Sequence, residues 1–268
     1  MTPSLHRASQ AIGLALVALL AGALTAAKAA DTDVARILAP TGKLRAALYP
    51  GTPTSILPDA GGNPRGVGYE IGKALAEELH VPYEPVVYAK NAEVLEAVKA
   101  GAADVAFTNA SPARAKLMDF APVYLRIELG YLLPEGSPVK EISEIDASGR
   151  KVGVTTGSSS DAELSRDLKN ATVVRIATIK DAIDQLSAHE IDAFATNKAT
   201  LFEISEKVPG SHVLEGRWGE ERHAIAIPKG REAADDFLRG FTEEISQSGL
   251  VHDAAERAGL KGVIASGR

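Results

Sequence analysis

The chain has 268 residues, with 29 Lys and Arg against 35 Asp and Glu, and its formal net charge is −6. This acidic balance excludes nucleic acid as a partner, because the chain lacks the basic stripe that phosphate neutralisation requires. Cysteine is absent, which excludes disulfides, Cys-ligated metals, thiol catalysis and a lipid anchor on an N-terminal Cys.

The N-terminal segment has the organisation of a secretory signal peptide. His6 and Arg7 precede an apolar run over residues 11–24, and small residues follow up to Ala29. The run is shorter than the roughly 20 residues that a membrane-spanning helix needs, which argues against the alternative of a retained anchor. We expect cleavage after Ala29. Removing Arg7 and Lys28 with this segment changes the net charge to about −8, and a mature chain without a lipid anchor is expected to be free in a Gram-negative periplasm.

From about Lys43 onward, short apolar runs alternate with amphipathic helical patterns. The predicted strands are Leu44–Leu48, Val86–Tyr88, Asp104–Phe107, Lys151–Val154, Val173–Ile176 and Asp192–Ala195. The predicted helices are Tyr69–Leu79, Asn91–Ala100 with Asn91 as its cap, Asp161–Leu168, Asp181–Ala188, Arg231–Ser248 and Val251–Ala258. This alternation predicts an α/β fold in which helices cover mostly parallel sheets.

An internal repeat with an offset of 88 residues indicates two related lobes. Residues 94–109 and 182–197 each have the pattern of a helix, a short turn and a strand that ends in Thr-Asn. Because ligands of open α/β sheets gather beyond the carboxyl ends of strands, we expect Asn109 and Asn197 to point into a cleft between the lobes. The alternative is that each Asn only terminates its strand in a turn.

The chain contains four sequence motifs whose combination can be compared with known families. They are Gly68-Tyr69-Glu70-Ile71, Ser111-Pro112-Ala113-Arg114 continuing to Phe120, Lys151-Val152-Gly153-Val154 continuing to Ser159, and Ile191-Asp192-Ala193-Phe194 continuing to Asn197. From about Gly42 to Gly262, the chain resembles the solute-binding proteins of polar amino acid ABC importers, the extracellular family 3. The resemblance implies a two-lobed periplasmic binding protein fold of type II, with two strands as the hinge.

The same resemblance implies the domain boundaries and the partners. One lobe is expected to comprise residues 31–125 and 225–268, and the other residues 130–220. The hinges are expected at Arg126–Leu132 and Glu220–Ile225, and a bound solute would shift an open population to a closed one. A monomer without a cofactor that delivers a small solute to an ABC permease of the inner membrane is expected.

Arg114 is the first candidate ligand-binding residue. In the family that the chain resembles, the Arg of the Ser-x-x-Arg motif holds the carboxylate of the ligand. A guanidinium suits this role because it presents a rigid planar fork of donors and keeps its charge. The alternative is a solvated charge near the start of a helix.

The segment Gly157–Asp161 joins a predicted strand to a helix, where backbone N–H groups and the helix dipole favour an anion. Ser158 and Ser159 are therefore the second pair of candidate carboxylate contacts, and N-capping of the helix is the alternative. The resemblance also places Tyr69 against the ligand. A buried core tyrosine is the alternative for that residue.

Several positions depart from the family pattern. Asn197 stands where amino acid binders of the family carry an Asp that pairs with the ammonium of the ligand, and Tyr49 replaces an acidic residue common after the first strand. Since burying an unpaired charge is costly, a ligand without an ammonium becomes as plausible as an amino acid. On this interpretation, Asn197→Asp is expected to improve amino acid binding.

An enzyme on the same fold, similar to the periplasmic cyclohexadienyl dehydratases, is the alternative function, with Glu70, Asp161 and Tyr69 as possible acid–base groups. The glycines of residues 66–72 fit neither the dinucleotide fingerprint nor the phosphate-binding loop. The six histidines have no paired spacing on one helix face, so no metal centre is predicted.

Overall fold

A computed structural model of the protein describes residues 33–58 and 61–264. The predicted signal peptide lies outside the described residues. Within the described ranges, no helix has both the length and the apolar composition needed to cross a membrane.

The described residues form an α/β fold whose elements follow in chain order. The strands are β1 (Leu44–Leu48), β2 (Leu57–Pro58), β3 (Pro64–Arg65), β4 (Tyr83–Val87), β5 (Val105–Asn109), β6 (Met118–Leu133), β7 (Lys151–Thr155), β8 (Thr172–Ile176), β9 (Ala193–Asn197), β10 (His212–Val213) and β11 (Gly219–Pro228). The helices are α1 (residues 33–38), α2 (Val67–Glu78), α3 (Asn91–Lys99), α4 (Ser159–Asp167), α5 (Ile179–Ser187), α6 (Lys198–Ser205), α7 (Asp235–Gln247) and α8 (Leu250–Arg257).

The main sheet consists of two parallel parts joined by antiparallel strands. Its order is β4-β1-β5-β11-β6-β9-β7-β8. Strands β4, β1 and β5 are parallel to one another and form the first half, and β9, β7 and β8 are parallel to one another and form the second half. Strand β11 pairs antiparallel with β5, and β6 pairs antiparallel with β9. The predicted mostly parallel α/β organisation is therefore confirmed.

Strands β6 and β11 run through the centre of the sheet and connect its halves. They pair with each other along most of their length, from Gly219 opposite Leu129 to Pro228 opposite Met118. The residue pair Arg222 and Arg126 lies at the middle of this ladder, within the two segments expected to be hinges. The chain thus passes from the first half to the second through β6 and returns through β11.

Among the described residues, two of the three buried hydrophobic clusters follow the same division, and the third contains residues of both halves. Leu44, Ile71 and Ile225 belong to a cluster under α2, α7 and α8, whereas Tyr131 and Val154 belong to a cluster in the second half. Helix α2 faces inward because its apolar residues recur at helical spacing. The first cluster explains why the C-terminal helices return to cover the first half.

The repeat seen in the sequence is a structural repeat. Helices α3 and α5 and strands β5 and β9 correspond residue by residue at the offset of 88. Gly101 ends the first helix with φ +69°, and His189, at the corresponding position, also adopts a positive φ of 55°. The expected cap of α3 requires correction: Asn91 is the first helical residue, and Lys90 is the N-cap.

Candidate functional site

A polar cavity lies between the two halves of the sheet, beyond the carboxyl ends of the parallel strands. The residues that line it come from β1, β5, β7, β9, β11, from the loop after β1, and from the first turns of α3, α4, α5 and α6. The polar ones are Tyr49, Thr52, Thr54, Ser55, Asn91, Thr108, Asn109, Arg114, Thr155, Ser158, Ser159, Thr196, Asn197, Thr200, Glu221 and His223. Six of the seven candidate residues from the sequence, all except Tyr69, are therefore brought together.

Arg114 projects its guanidinium into this cavity from the short helical turn after β5. Ser111 fixes that turn, because its hydroxyl accepts a hydrogen bond from the Arg114 backbone N–H at 3.3 Å. The guanidinium donates to Thr108 Oγ1 at 2.6 Å and to the backbone carbonyls of Asn109 at 3.4 Å and Gly157 at 3.3 Å. Among the described residues, no carboxylate is hydrogen-bonded to it.

Arg114 is only 9 % exposed. Burial lowers the pKa of its guanidinium, and the nearby negative charge of Glu221 partly opposes that shift. Because a guanidinium stays protonated in proteins, the site contains a buried cation whose hydrogen-bond partners in the described residues are all neutral. Such a cation favours a bound anion, since hydrogen bonds between ionised groups are stronger than those to neutral acceptors.

The turn before α4 carries the second pair of candidates. Ser158 is the N-cap of α4, because its hydroxyl accepts from the Asp161 backbone N–H at 3.0 Å. The Asp161 carboxylate accepts from the Gly157 N–H at 3.0 Å, which uses one of the donors expected to face an anion. Ser158 therefore caps α4, and its side chain also lines the cavity, so its contact with a carboxylate stays a prediction.

Hydrogen bonds cross the cavity between the two halves of the sheet. Asn109, at the end of β5, donates from Nδ2 to Ser159 Oγ at 2.8 Å. The hydroxyl of Tyr49, after β1, accepts from the Ile179 backbone N–H at the start of α5 at 3.2 Å. Burial raises the pKa of Tyr49, so its hydroxyl stays neutral. Both candidates thus join the first half to helices of the second half.

The loop after β1 lines one side of the cavity with small hydroxyl residues. Thr52, Thr54 and Ser55 are all buried. The Thr52 and Thr54 hydroxyls lie 2.6 Å apart, and Ser55 Oγ accepts from the Tyr49 backbone N–H at 2.8 Å. This side of the cavity therefore offers hydroxyl groups and little apolar surface.

Asn197, at the end of β9, contacts an acidic residue that sequence reasoning missed. Its Nδ2 donates to Glu221 Oε2 at 3.0 Å, and its Oδ1 accepts from the Thr200 N–H at 3.0 Å, which caps α6. The ring of His223 contacts the same Glu221 oxygen through Nε2 at 2.9 Å. The loss of an acid at position 197 therefore does not leave the cavity without a carboxylate.

Glu221 is buried and ionised. Burial acts to raise its pKa, but the hydrogen bond and the charge interaction with His223, the charge of Arg114 and the hydrogen bond from Asn197 outweigh it, so the pKa of Glu221 lies below its ordinary value. An ionised carboxylate only accepts hydrogen bonds, so Nε2 of His223 carries the proton of that contact. Arg114 and Glu221 thus supply the cavity with one buried charge of each sign.

Tyr69 lies outside this cavity, so the expected ligand contact is corrected. Helix α2 begins at Val67, and the Tyr69 ring packs edge-on against Tyr83 of β4, with ring centroids 5.6 Å apart. It is half-buried against the core of the first half. The alternative of a core tyrosine is therefore the correct one.

Glu70 and Asp161, two acid–base candidates for the alternative enzyme function, each interact with other residues of the chain. Glu70 lies 3.7 Å from Arg257 of α8 and does not line the cavity. The Asp161 carboxylate is used by Gly157, Ser165 and Arg175. Neither carboxylate is among the residues that line the cavity.

The spacing of Glu221 and His223 in the sequence could have identified both as candidate site residues. They alternate in a segment expected to be a hinge strand, so their side chains point to the same face. An acid and a histidine on one face of a buried strand indicate a polar site. Their contact with Asn197 could not be predicted, because it depends on how β11 and β9 are placed across the sheet.

A two-part α/β fold with a polar cavity beyond the carboxyl ends of its strands is typical of a class of solute-binding proteins. Similarity to known proteins shows the family. Residues 44–259 match the model of the bacterial extracellular solute-binding proteins, family 3, which is well over half of the chain. The protein belongs to this family. The predictions of the family and of the fold class are thereby confirmed.

Individual relatives agree with this assignment. The amino-acid-binding protein AabA of Dichelobacter nodosus is 26% identical over 200 residues, which cover 72% of this chain and 78% of that protein. A solute receptor for L-cysteine of Neisseria gonorrhoeae is 26% identical, with a TM-score of 0.74 over 84% of this chain and 92% of that one. The similar proteins are named as binding proteins.

A third similar structure is that of an ancestral amino acid-binding protein described as a precursor of cyclohexadienyl dehydratase. It is 20% identical, with a TM-score of 0.71 over 81% of this chain and 96% of that one. At this identity the likeness shows the fold alone.

Proposed function

We propose that the protein is the solute-binding component of an ABC importer and captures a small carboxylate-bearing solute between its two lobes. The carboxylate binds the guanidinium of Arg114, with the first turn of α4 on the opposite wall. Residues 31–125 with 225–268 form one lobe, and residues 130–220 form the other. The proposal includes no chemical conversion of the solute and no cofactor.

The main support for this function is the burial of Arg114 and the neutral character of its hydrogen-bond partners. Its guanidinium is buried in the cavity, and its hydrogen-bond partners among the described residues are one hydroxyl and two carbonyls. A carboxylate would supply a hydrogen-bonded counter-charge, which no described residue gives, and would match the planar donor fork with two parallel hydrogen bonds. Hydroxyl and amide groups around it can orient the remainder of a small polar solute.

The geometry also supports capture by closure. The hydrogen bonds from Asn109 to Ser159 and from Ile179 to Tyr49 hold the two walls together at separate points. A solute that touches both walls adds contacts that exist only in the closed form, and it therefore shifts the population toward closure. The crossing strands β6 and β11 are the proposed hinges, at Arg126–Leu132 and Glu220–Ile225.

The test begins with a thermal-shift screen of the purified protein against amino acids and small organic acids, followed by calorimetry on the best hit. Arg114→Ala is expected to weaken that hit by at least about 100-fold, because both charge-assisted hydrogen bonds are lost. Arg114→Lys keeps the charge without the fork and is expected to lose less. Incubation followed by NMR of the solute should detect binding without turnover.

Arg166→Ala is the matched control, since Arg166 lies on the exposed side of α4 and pairs with its neighbour Asp167. It should bind the solute as the wild type does. Unchanged affinity in a folded Arg114→Ala protein would refute the carboxylate assignment. Product formation would instead favour the enzyme alternative.

Export is the remaining part of the proposal, and the extracellular character of the family supports it. We propose that the signal peptide is removed after Ala29 and that a monomer diffuses in the periplasm to an inner-membrane permease. Mass spectrometry of protein released from the periplasm should give a chain that begins at Ala30. A chain that retains residues 1–29 in the membrane fraction would contradict this.

A further inference from the structure

Glu221, on β11, is the strongest feature of the cavity that the carboxylate contact does not use. It is 7 % exposed, and its Oε2 accepts the hydrogen bonds from both Asn197 and His223. Its Oε1 accepts no hydrogen bond from any residue that the structure describes. Glu221 lines the binding cavity, so an oxygen of its carboxylate that has no donor from the protein can accept a hydrogen bond from the solute.

His223 gives a second and independent observation. It is 4 % exposed and lines the same cavity, yet its Nδ1 has no hydrogen-bond partner in the described part of the chain. Two polar atoms without a hydrogen-bond partner in the described residues, Glu221 Oε1 and His223 Nδ1, therefore belong to residues that lie two apart on one face of β11.

Asn197 is explained by the same arrangement. An Asp at this position would place a second carboxylate within about 3 Å of Glu221, as the observed distance of 3.0 Å from the Asn197 amide shows. Two carboxylates at such a separation cannot both stay ionised at low cost. The amide instead donates to Glu221 while its oxygen caps α6, so the neutral residue orients the acid.

We propose that Glu221 binds an ammonium group of the solute, so that the acidic partner of the solute lies on the crossing strand β11 and not at position 197. This rests on the proposed function, because the same solute presents its carboxylate to Arg114. The cavity then selects zwitterionic solutes over simple carboxylates. Asn197 and His223 are positioning residues that hold the Glu221 side chain.

The test uses a matched pair of solutes. One is the L-amino acid that gives the largest thermal shift among the standard twenty, and the other is its desamino counterpart, in which hydrogen replaces the α-ammonium. The readout is the ratio of the two dissociation constants by calorimetry. The wild type should prefer the amino acid by at least about 30-fold, since a buried charge pair is lost with the desamino solute.

Glu221→Gln should reduce this ratio to less than about threefold, because the amide keeps the shape and removes the charge. Adding Asn197→Asp to Glu221→Gln should restore much of the preference, since the acid then stands alone at position 197. Arg114→Ala weakens both solutes and so tests the proposed function separately from the ratio.

The inference is overturned if the wild type binds the desamino counterpart as tightly as the amino acid, or if Glu221→Gln weakens both solutes by the same factor. The first comparison needs no variant, so it stands even if Glu221→Gln fails to fold. A screen in which neither kind of solute binds would refute the proposed function and this inference with it.

Discussion

The two copies of the internal repeat, residues 94–109 and 182–197, have the same backbone and different surroundings. Asp104 and Asp192 correspond to each other, and each accepts a hydrogen bond from the backbone N–H of the neighbouring strand, Arg45 at 3.0 Å and Lys151 at 2.7 Å. Asp104 is completely buried, whereas Asp192 is exposed. The shared sequence pattern therefore determines the local fold, and the partners determine what each copy does.

The asparagines at the ends of the two copies differ in the same way. Asn109 bonds Ser159 across the cavity and accepts from the Arg222 N–H at 2.8 Å. Asn197 bonds Glu221 and caps α6. One asparagine connects the two halves, and the other orients an acid. Identical residues at equivalent positions thus acquire two functions from elements outside the repeat.

The largest difference between the copies should appear in stability. Asp104 binds Arg45 at 2.8 Å and Arg231 at 3.2 Å, so Asp104→Asn leaves two mostly buried guanidinium groups without their carboxylate. We expect a loss of about 3 kcal/mol in the free energy of unfolding. Asp192→Asn, the matched control, should lose less than about 1 kcal/mol. Urea denaturation measures both, and equal losses would show that burial does not distinguish the copies.

The second prediction concerns pH. Because the folded-state pKa of Glu221 is lowered, its ionised form contributes stability at neutral pH that is lost as pH falls through that pKa. Asn197→Asp adds an adjacent carboxylate, which raises the pKa of one of the pair. The resulting loss of stability should be present at about pH 7.5 and shrink toward about pH 5, as the pair takes up a proton.

Melting temperatures of wild type and Asn197→Asp across this range provide the measurement. Asn109→Asp is the matched control in the first copy, where the new carboxylate faces the hydroxyl of Ser159 and not an acid. We also expect Asn197→Asp alone not to improve amino acid binding, in contrast to the expectation from sequence. A stability difference independent of pH would argue against close coupling of positions 197 and 221.

A smaller effect is expected from the hydrogen bond that crosses the cavity. A double-mutant cycle with Asn109→Ala and Ser159→Ala should give a coupling of about 1 kcal/mol in solute affinity. The same cycle with Asn197→Ala in place of Asn109→Ala should be nearly additive, since Asn197 has no contact with Ser159 in the hydrogen bonds described. Equal coupling energies in both cycles would show that Asn109 does not differ from Asn197 in its interaction with Ser159.

The smallest effect concerns the turns after α3 and α5. His189 adopts a positive φ where the first copy has Gly101. His189→Gly should therefore stabilise the protein by about 0.5 kcal/mol, and Gly101→Ala should destabilise it by about 1 kcal/mol. Thermal denaturation measures both changes. Opposite signs would indicate that side-chain contacts outweigh backbone strain in these turns.

Much of the fold could be predicted because its signals are local. The first strand, Leu44–Leu48, was predicted with its observed bounds, and the helices of both repeat copies differ from prediction by one or two residues at each end. The long strand β6 was predicted only as a hinge segment, because it crosses two environments. Its exposed and buried residues do not alternate regularly.

The candidate site was predictable where residues are adjacent in sequence or repeated. Arg114 was singled out by a local motif of the family that the chain resembles, and Asn109 and Asn197 by the repeat; all three line the cavity. Glu221 was missed because its meaning depends on a contact between β11 and β9, which are not paired in the sheet. Tyr69 was misplaced since the family pattern does not record which side of α2 meets Tyr83.

The most direct test of the account is a crystal structure of the protein with its tightest-binding amino acid. We predict that the carboxylate of the ligand lies within hydrogen-bond distance of the Arg114 guanidinium and that its ammonium contacts Glu221. A ligand whose carboxylate contacts other groups, or which binds outside the cavity between the two halves, would contradict the account.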